Sequence, residues 1–275
     1  MKRTIASAAI AVLALAGCTL PPCGGSCAGS QWKGKRIAVF GDSLTDPALR
    51  ERWKNYWAYL PETLGVDVHV FGVNGQQWTA LPRQIASAVS EMGDGVDAAT
   101  VLLGTNDYIH NCPLGEWFDL ETKTVDSWGT TYLREHRVLN CDTNTFRGRI
   151  NVGLRALKTT FPDAQIIVLT PPHRAFFTCS PRNVQPEEDF PNDIGHYFEE
   201  YVEAIREGAR LWSVPVIDLY AESSLCPRLP GQGRLFWNAR TDRLHPNSEG
   251  HRRIADLMTY RMLALPAGFT TDKQR

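Results

Sequence analysis

The chain has 275 residues, of which 43% are hydrophobic and 21% are charged. This length and composition are typical of a globular α/β protein with a substantial core, and they exclude a disordered or fibrous chain. The formal net charge of −1, without a basic block in the sequence, excludes nucleic acid as an expected partner.

The first segment has the pattern of an export signal. Lys2 and Arg3 precede the apolar stretch Ile5–Gly17, which is too short to span a bilayer, so residues 1–17 are predicted to be a signal peptide. The tetrapeptide Leu15-Ala16-Gly17-Cys18 resembles the lipobox of bacterial lipoproteins. That resemblance implies a lipid on Cys18, a membrane partner through that lipid, and a place in the cell envelope, at the outer membrane if the host has one. An ordinary secretory signal is the alternative.

Cysteine usage also fits an exported protein. Apart from Cys18 the sequence holds an even number of cysteines, and we predict the disulfides Cys112–Cys141, Cys179–Cys226 and Cys23–Cys27. The pairing stays open, because spacing alone does not determine it. A metal site is the alternative, but no Cys-x-x-Cys or His-x-x-x-His pair supports one, so no metal is expected.

The rest of the chain is predicted to form a tether, one domain and a short tail. Residues 18–35 are rich in Pro, Gly, Ser and Cys and are predicted to be a tether, the domain covers 36–265, and 266–275 form a tail. Apolar runs predict five strands, at Arg36–Phe40, Val66–Phe71, Ala98–Leu103, Gln165–Leu169 and Val214–Leu219. Helical periodicity predicts five helices, at Glu51–Leu64, Leu81–Met92, Phe146–Phe161, Asp193–Trp212 and Asn247–Leu263.

Alternation of strands and helices predicts a parallel sheet covered by helices on both faces. Residues 108–145 show no clean period and are predicted to be an insertion. Ligands of open parallel sheets bind beyond the carboxyl ends of the strands. Polar motifs follow the first three strands, so the sequence places a site at that edge.

Four short motifs carry the chemistry of ester hydrolysis. Ser43, in Gly41-Asp42-Ser43-Leu44, is the candidate nucleophile, and Asn106 follows the most apolar strand. His245 is the candidate base, and Asp242, three residues earlier, is close enough on a turn or short helical segment to fix its tautomer. Gly75, in Val73-Asn74-Gly75, follows the second strand, and Gly72 is the alternative for the same position.

These motifs, in this order, resemble the SGNH/GDSL hydrolase superfamily over about residues 36–263. The resemblance implies a flavodoxin-like, three-layer α/β/α sandwich with about five parallel strands and no cofactor. It implies a Ser43–His245–Asp242 triad and an oxyanion hole made by Ser43, Gly75 and Asn106. The chain departs from the family pattern at Asp46-Pro47 and in the long insertion.

The substrate is less determined by the sequence. Candidate substrate-binding residues lie in or near the motifs or at a strand end, and they are Asp42, Trp78, His173 and Trp237. For the two tryptophans core packing is the alternative. The first hypothesis is a monomeric envelope esterase that removes acetyl or short acyl groups from a small molecule, glycan or lipid. The others are a lipase, lysophospholipase or thioesterase with a longer acyl pocket, an acyltransferase, and a lipid-anchored protein without catalysis.

Overall fold

The computed structural model describes residues 30–49 and 51–265. Its strands are β1 Arg36–Gly41, β2 Asp67–Val70, β3 Ala98–Leu102, β4 Phe118–Ser127, β5 Thr130–Leu139, β6 Gln165–Leu169, β7 Phe177–Ser180, β8 Asn183–Gln185, β9 Val216–Ile217, β10 Phe236–Asn238 and β11 Asp242–Pro246. Its α-helices are α1 Leu60–Leu64, α2 Leu81–Met92, α3 Thr105–Ile109, α4 Phe146–Thr160, α5 Phe198–Leu211, α6 Leu219–Glu222 and α7 Ser248–Ala264.

Some of the predicted features lie outside these residues. The signal peptide, Cys18, the Cys23–Cys27 pair and the C-terminal tail 266–275 are among the parts of the chain that are not described. Within the described residues, no helix is both long enough and apolar enough to cross a bilayer.

The central sheet has the strand order β2-β1-β3-β6-β9, and every neighbouring pair is parallel. One core cluster joins the sheet to α2, α4 and α5, and a second cluster joins its other face to α1 and α7. All five residues of β3 are buried, as a strand covered on both faces requires. The predicted three-layer α/β/α sandwich with a flavodoxin-like strand order is therefore confirmed.

Three predicted elements have different bounds. Residues 51–55 are not helical, and the predicted helix Glu51–Leu64 is reduced to a 3-10 turn, Tyr56–Tyr59, followed by α1. Pro61 occupies the first turn of α1, where its missing N–H costs nothing, so it begins the helix instead of kinking it. The helix predicted from Asp193 begins at Phe198, and the last strand of the sheet is only Val216–Ile217.

The predicted insertion contains regular structure that the sequence pattern did not reveal. Strands β4 and β5 form an antiparallel hairpin whose turn is Trp128-Gly129. Nearly all residues of both strands are exposed, so the hairpin has no buried face to impose an alternating pattern. A second, antiparallel sheet with the order β10-β11-β7-β8 was also not predicted.

The predicted disulfides Cys112–Cys141 and Cys179–Cys226 are wrong for this structure, in which all four cysteines are free thiols. Cys112 is buried in the core beneath α4, and its Sγ lies 3.7 Å from the carbonyl oxygen of Pro113. Burial raises the pKa of this thiol to about 11. Cys179 instead lies exposed on β7.

Candidate active site

The structure brings Ser43, His245 and Asp242 into one hydrogen-bonded row. Ser43 lies just after β1, and its Oγ is 3.0 Å from Nε2 of His245. On the other side of the ring, Nδ1 of His245 is 2.9 Å from Oδ2 of Asp242. All three side chains are largely buried. This is the arrangement in which a carboxylate orients an imidazole that can take a proton from a hydroxyl.

Asp242 and His245 lie on strand β11, and the predicted turn or short helical segment is wrong. Residues three apart on a regular strand point to opposite faces. Here the aspartate side chain folds back along its own strand, and its Oδ1 accepts the backbone N–H groups of Leu244 at 3.1 Å and His245 at 2.9 Å. This local fold-back brings the carboxylate to the imidazole despite the strand geometry.

Aromatic rings hold the imidazole on both sides. Trp53 stacks on His245 with ring centroids 5.6 Å apart and planes 18° from parallel, and Phe177 meets it edge-on at 5.1 Å. Trp53 also stacks on the buried His251 at 5.8 Å. Burial lowers the pKa of His251 to about 3, so this second histidine is neutral in the fold. The contacts with Trp53 and Phe177 restrict rotation of the His245 ring.

Two backbone N–H groups at the pocket are free to stabilise an anion. Among the described residues, no acceptor is hydrogen-bonded to the backbone N–H of Ser43 or of Gly75. Both residues line the pocket. Gly75 has φ +74°, which a residue with a side chain rarely adopts. Gly72, the alternative, packs against Thr45 and does not line this pocket, so Gly75 is the better placed donor.

Asn106 lies at the first turn of α3 and also lines the pocket. Its Nδ2 donates to the carbonyl oxygen of Gln76 at 3.0 Å and to Oδ2 of Asp42 at 3.3 Å. Both amide protons therefore have protein acceptors. To serve as a third oxyanion donor, the side chain has to exchange the longer of these bonds for a bond to the substrate.

Buried carboxylates connect the loops that carry the site through hydrogen bonds. No role was predicted for them from the sequence. Asp46 accepts the backbone N–H of Asn74 at 2.8 Å, which ties the loop after Ser43 to the loop of Gly75. Asp107 accepts the backbone N–H of Trp78 at 3.1 Å and pairs with Arg149 at 2.9 Å. Both carboxylates are adjacent to the predicted motifs, a signal that could have identified them.

Burial also shifts the pKa of two carboxyl groups near the site. It raises the pKa of Asp42 to about 7 and the pKa of Asp107 to about 6. The side chain of Gln84 also holds the end of β1. Its amide donates to the carbonyl oxygen of Gly41 at 2.8 Å and accepts the N–H of the same glycine at 3.1 Å. The end of β1, immediately before the serine, is thereby fixed in place.

The pocket next to Ser43 has a volume of about 700 Å³. Of the four predicted substrate-binding residues, none lines it. Asp42 is buried beneath it, and Trp237 packs edge-on against Trp53 at 5.4 Å. His173 contacts Glu188 and Tyr220 instead.

Trp78 is a core residue, as the alternative interpretation had it. Its ring is 1% exposed and belongs to the cluster between the sheet, α2 and α4. A Cβ on Gly153 of α4 would lie only 3.2 Å from this ring, so the helix approaches it closely. The hydrogen bond from the Trp78 backbone to Asp107 fixes the turn that directs the ring inward.

The described residues contain no group of three or more His, Cys, Asp or Glu side chains placed to hold a metal ion.

Comparison with known proteins agrees with this geometry. Residues 39–253 match the GDSL-like lipase/acylhydrolase family. The chain belongs to this family. Membership identifies it as a hydrolase that acts on esters. No curated protein matches the chain.

Solved structures show the same fold. A structure described as a possible lipase from Chitinophaga pinensis is 22% identical, with a TM-score of 0.63, and the match covers 84% of this chain and 99% of that one. A protein from Lactobacillus plantarum is 23% identical, with a TM-score of 0.61, over 84% of this chain and 97% of its own. At this level of identity the likeness establishes the fold alone.

Proposed function

We propose that this family member is a serine esterase in which Ser43 is the nucleophile, His245 the general base and Asp242 the residue that orients it. The observation that carries the proposal is the hydrogen-bonded row of these three side chains, with distances of 3.0 and 2.9 Å, at the wall of an open pocket. Nucleophile, base and orienting group within hydrogen-bond reach are the signature of covalent ester cleavage.

The reaction follows from the positions of these groups. His245 takes the proton of Ser43 as the oxygen attacks the ester carbonyl. The backbone N–H groups of Ser43 and Gly75 stabilise the tetrahedral oxyanion, and Asn106 joins them when its longer bond to Asp42 is exchanged. His245 then protonates the departing alcohol, and water cleaves the acyl-enzyme by the same steps.

We propose a short acyl substrate because the pocket has a polar lining. Side chains with polar or charged ends form much of its wall, and they are Arg52, Asn74, Asn106, Asn183 and Gln185. A long acyl chain buries apolar surface, which a wall with this many polar groups matches poorly. Acetyl or similarly small groups avoid this mismatch.

Two measurements test the proposal. A fluorophosphonate probe should label the wild-type protein at Ser43 and should not label Ser43→Ala. A series of p-nitrophenyl esters from acetate to palmitate should give the highest kcat/KM at the acetate end. The highest kcat/KM at the palmitate end would instead identify a long-chain lipase. If the probe does not label the wild-type protein, Ser43 is not an active nucleophile and the protein is not a serine esterase.

The proposal includes attachment to the cell envelope through lipid on Cys18. Its support is the lipobox-like sequence Leu15-Ala16-Gly17-Cys18. Several buried acyl chains are enough for stable anchoring. Cys18→Ala should move the protein from the membrane fraction of the host to another fraction, whereas an unchanged distribution would exclude this anchor.

A further inference from the structure

The pocket of Ser43 has an unbalanced charge. Arg52 and Arg182 contribute guanidinium groups to its lining, and His110 adds an imidazole. Among its described lining residues there is no aspartate or glutamate. A cleft lined by one sign of charge concentrates ligands of the other sign.

Neither guanidinium is engaged elsewhere. Among the described residues, the side chains of Arg52 and Arg182 make no hydrogen bond or ion pair. Other arginines are paired, for example Arg149 with Asp107 at 2.9 Å and Arg206 with a carboxylate at 2.8 Å. The two cations at the pocket therefore keep all their donors available for a ligand.

The two arginines come from separate parts of the fold. Arg52 precedes Trp53, the ring that stacks on His245, and Arg182 lies in the turn between β7 and β8. The same pocket thus has cationic groups on the loop before α1 and on the small antiparallel sheet. A guanidinium presents a planar fork of N–H donors, which fits the oxygens of a carboxylate or phosphate.

We infer that the natural substrate is an ester whose alcohol portion carries a carboxylate or phosphate group. This inference rests on the proposed function, because a short acyl group held at Ser43 fills little of the 700 Å³ pocket. The remaining space is taken by the alcohol portion, which meets Arg52 and Arg182. The free donors and the lack of carboxylates in the lining select an anionic group there.

The test compares three aryl acetates: phenyl acetate, para-acetoxybenzoate and para-acetoxyphenyl phosphate. They share the acyl group and differ in the charge of the alcohol portion. Arg52→Gln and Arg182→Gln each remove one cation. Arg155→Gln is the matched control, since this exposed α4 arginine makes no side-chain hydrogen bond or ion pair among the described residues and does not line the pocket.

Each pocket variant should lower kcat/KM for the anionic esters by roughly 3–10-fold, the size expected for one partly solvated charge pair. The same variants should leave phenyl acetate within about twofold, and added salt should reduce the difference because it screens exposed charges. Comparing variants on one substrate cancels differences in leaving-group reactivity. A loss confined to the benzoate or to the phosphate identifies which anion the site takes.

The inference is overturned if the pocket variants change all three esters by the same factor, or change none of them, while Ser43→Ala abolishes hydrolysis. In that case the proposed function stands and only the anionic substrate fails. If Ser43→Ala hydrolyses phenyl acetate as fast as the wild type, the proposed function itself fails.

Discussion

The candidate site joins two regions of different construction. Ser43, Gly75 and Asn106 follow β1, β2 and β3 of the parallel sheet, where helices cover both faces. Asp242 and His245 lie on β11 of the small antiparallel sheet, whose other three strands are mostly exposed. In the proposed mechanism, the parallel sheet supplies the groups that bond to the substrate carbonyl, and the antiparallel sheet supplies the groups that move the proton.

The two regions also hold their residues by different means. Long-range hydrogen bonds from buried side chains fasten the loops of the parallel sheet, as between Asp46 and the backbone of Asn74. His245 is held by the fold-back of Asp242 within the same strand and by contact with the Trp53 ring. The position of the proposed nucleophile therefore depends on hydrogen bonds between separate loops, whereas that of the proposed base depends on one strand and its aromatic neighbours.

The largest expected effect comes from removing the contact between the two regions. Ser43→Ala and His245→Ala should each lower kcat/KM on p-nitrophenyl acetate by roughly 10⁴-fold or more, because neither group works alone. The double variant should be no slower than the slower single variant. His136→Ala, on the exposed hairpin, is the control and should keep wild-type activity. Multiplying losses in the double variant would show that the two regions act independently.

A smaller effect is expected from Asn106→Ala, on the parallel-sheet side. Loss of one oxyanion donor costs on the order of 10²–10³ in turnover, so this variant should stay measurable above Ser43→Ala. Asn183→Ala, at the exposed wall of the same pocket, is the matched control. If Asn106 serves only to hold Gln76 and Asp42 in place through its hydrogen bonds, the melting temperature of the variant should fall while its kcat stays within about threefold of the wild type.

The same contrast explains how much the sequence could predict. The strands β1, β3 and β6 are apolar runs buried on both faces, so their positions, and the motifs that follow β1 and β3, could be recognised in the sequence. The strands β7 and β8 are short, exposed and paired across a tight turn, so no periodic pattern marked them. The pairing of β7 with β11 joins segments that are distant in the sequence.

In the site, too, some features could be predicted from the sequence and others could not. The spacing of Asp242 and His245 predicted their contact, although the local structure that achieves it is a strand and not a turn or helical segment. The stacking of Trp53 on His245 could not be predicted, because it depends on how a non-helical loop crosses β11. The disulfide predictions failed for a similar reason: cysteine count carries no information on which surroundings each thiol enters.

The aromatic contacts beside His245 can be tested through the pH dependence of stability, because Trp53 also stacks on His251. Its ring stacks between Trp53 and Tyr56, and neither of its nitrogens has a partner among the described residues. Burial lowers its folded pKa from 6.5 to about 3, so the unfolded chain binds a proton below about pH 6.5 that the folded protein excludes. Stability should therefore fall as the pH falls through this window, by roughly 2 kcal/mol between about pH 7 and about pH 5.

His251→Phe keeps a ring in the stack and removes this titration. The measurement is the free energy of unfolding in urea at both pH values, and the wild type should lose roughly 2 kcal/mol more than the variant. Asp42 acts in the opposite sense, since its raised pKa makes the folded state bind a proton more tightly, but it is present in both proteins and cancels. Parallel stability curves for the two proteins would show that His251 is not held neutral.

The smallest effect should come from the hairpin, which belongs to neither region. Glu121 and His136 face each other across β4 and β5, so residues 122–135 can be replaced by Asn-Gly, a pair that suits a two-residue hairpin turn. The removed residues are exposed, and Trp128 at the tip is fully so. The free energy of unfolding should change by less than about 1 kcal/mol, because almost no buried surface is lost. Activity on small esters should stay within about twofold. A large loss of activity with unchanged stability would instead show that the hairpin contacts the substrate. The hairpin would then be a third region that contributes to the site.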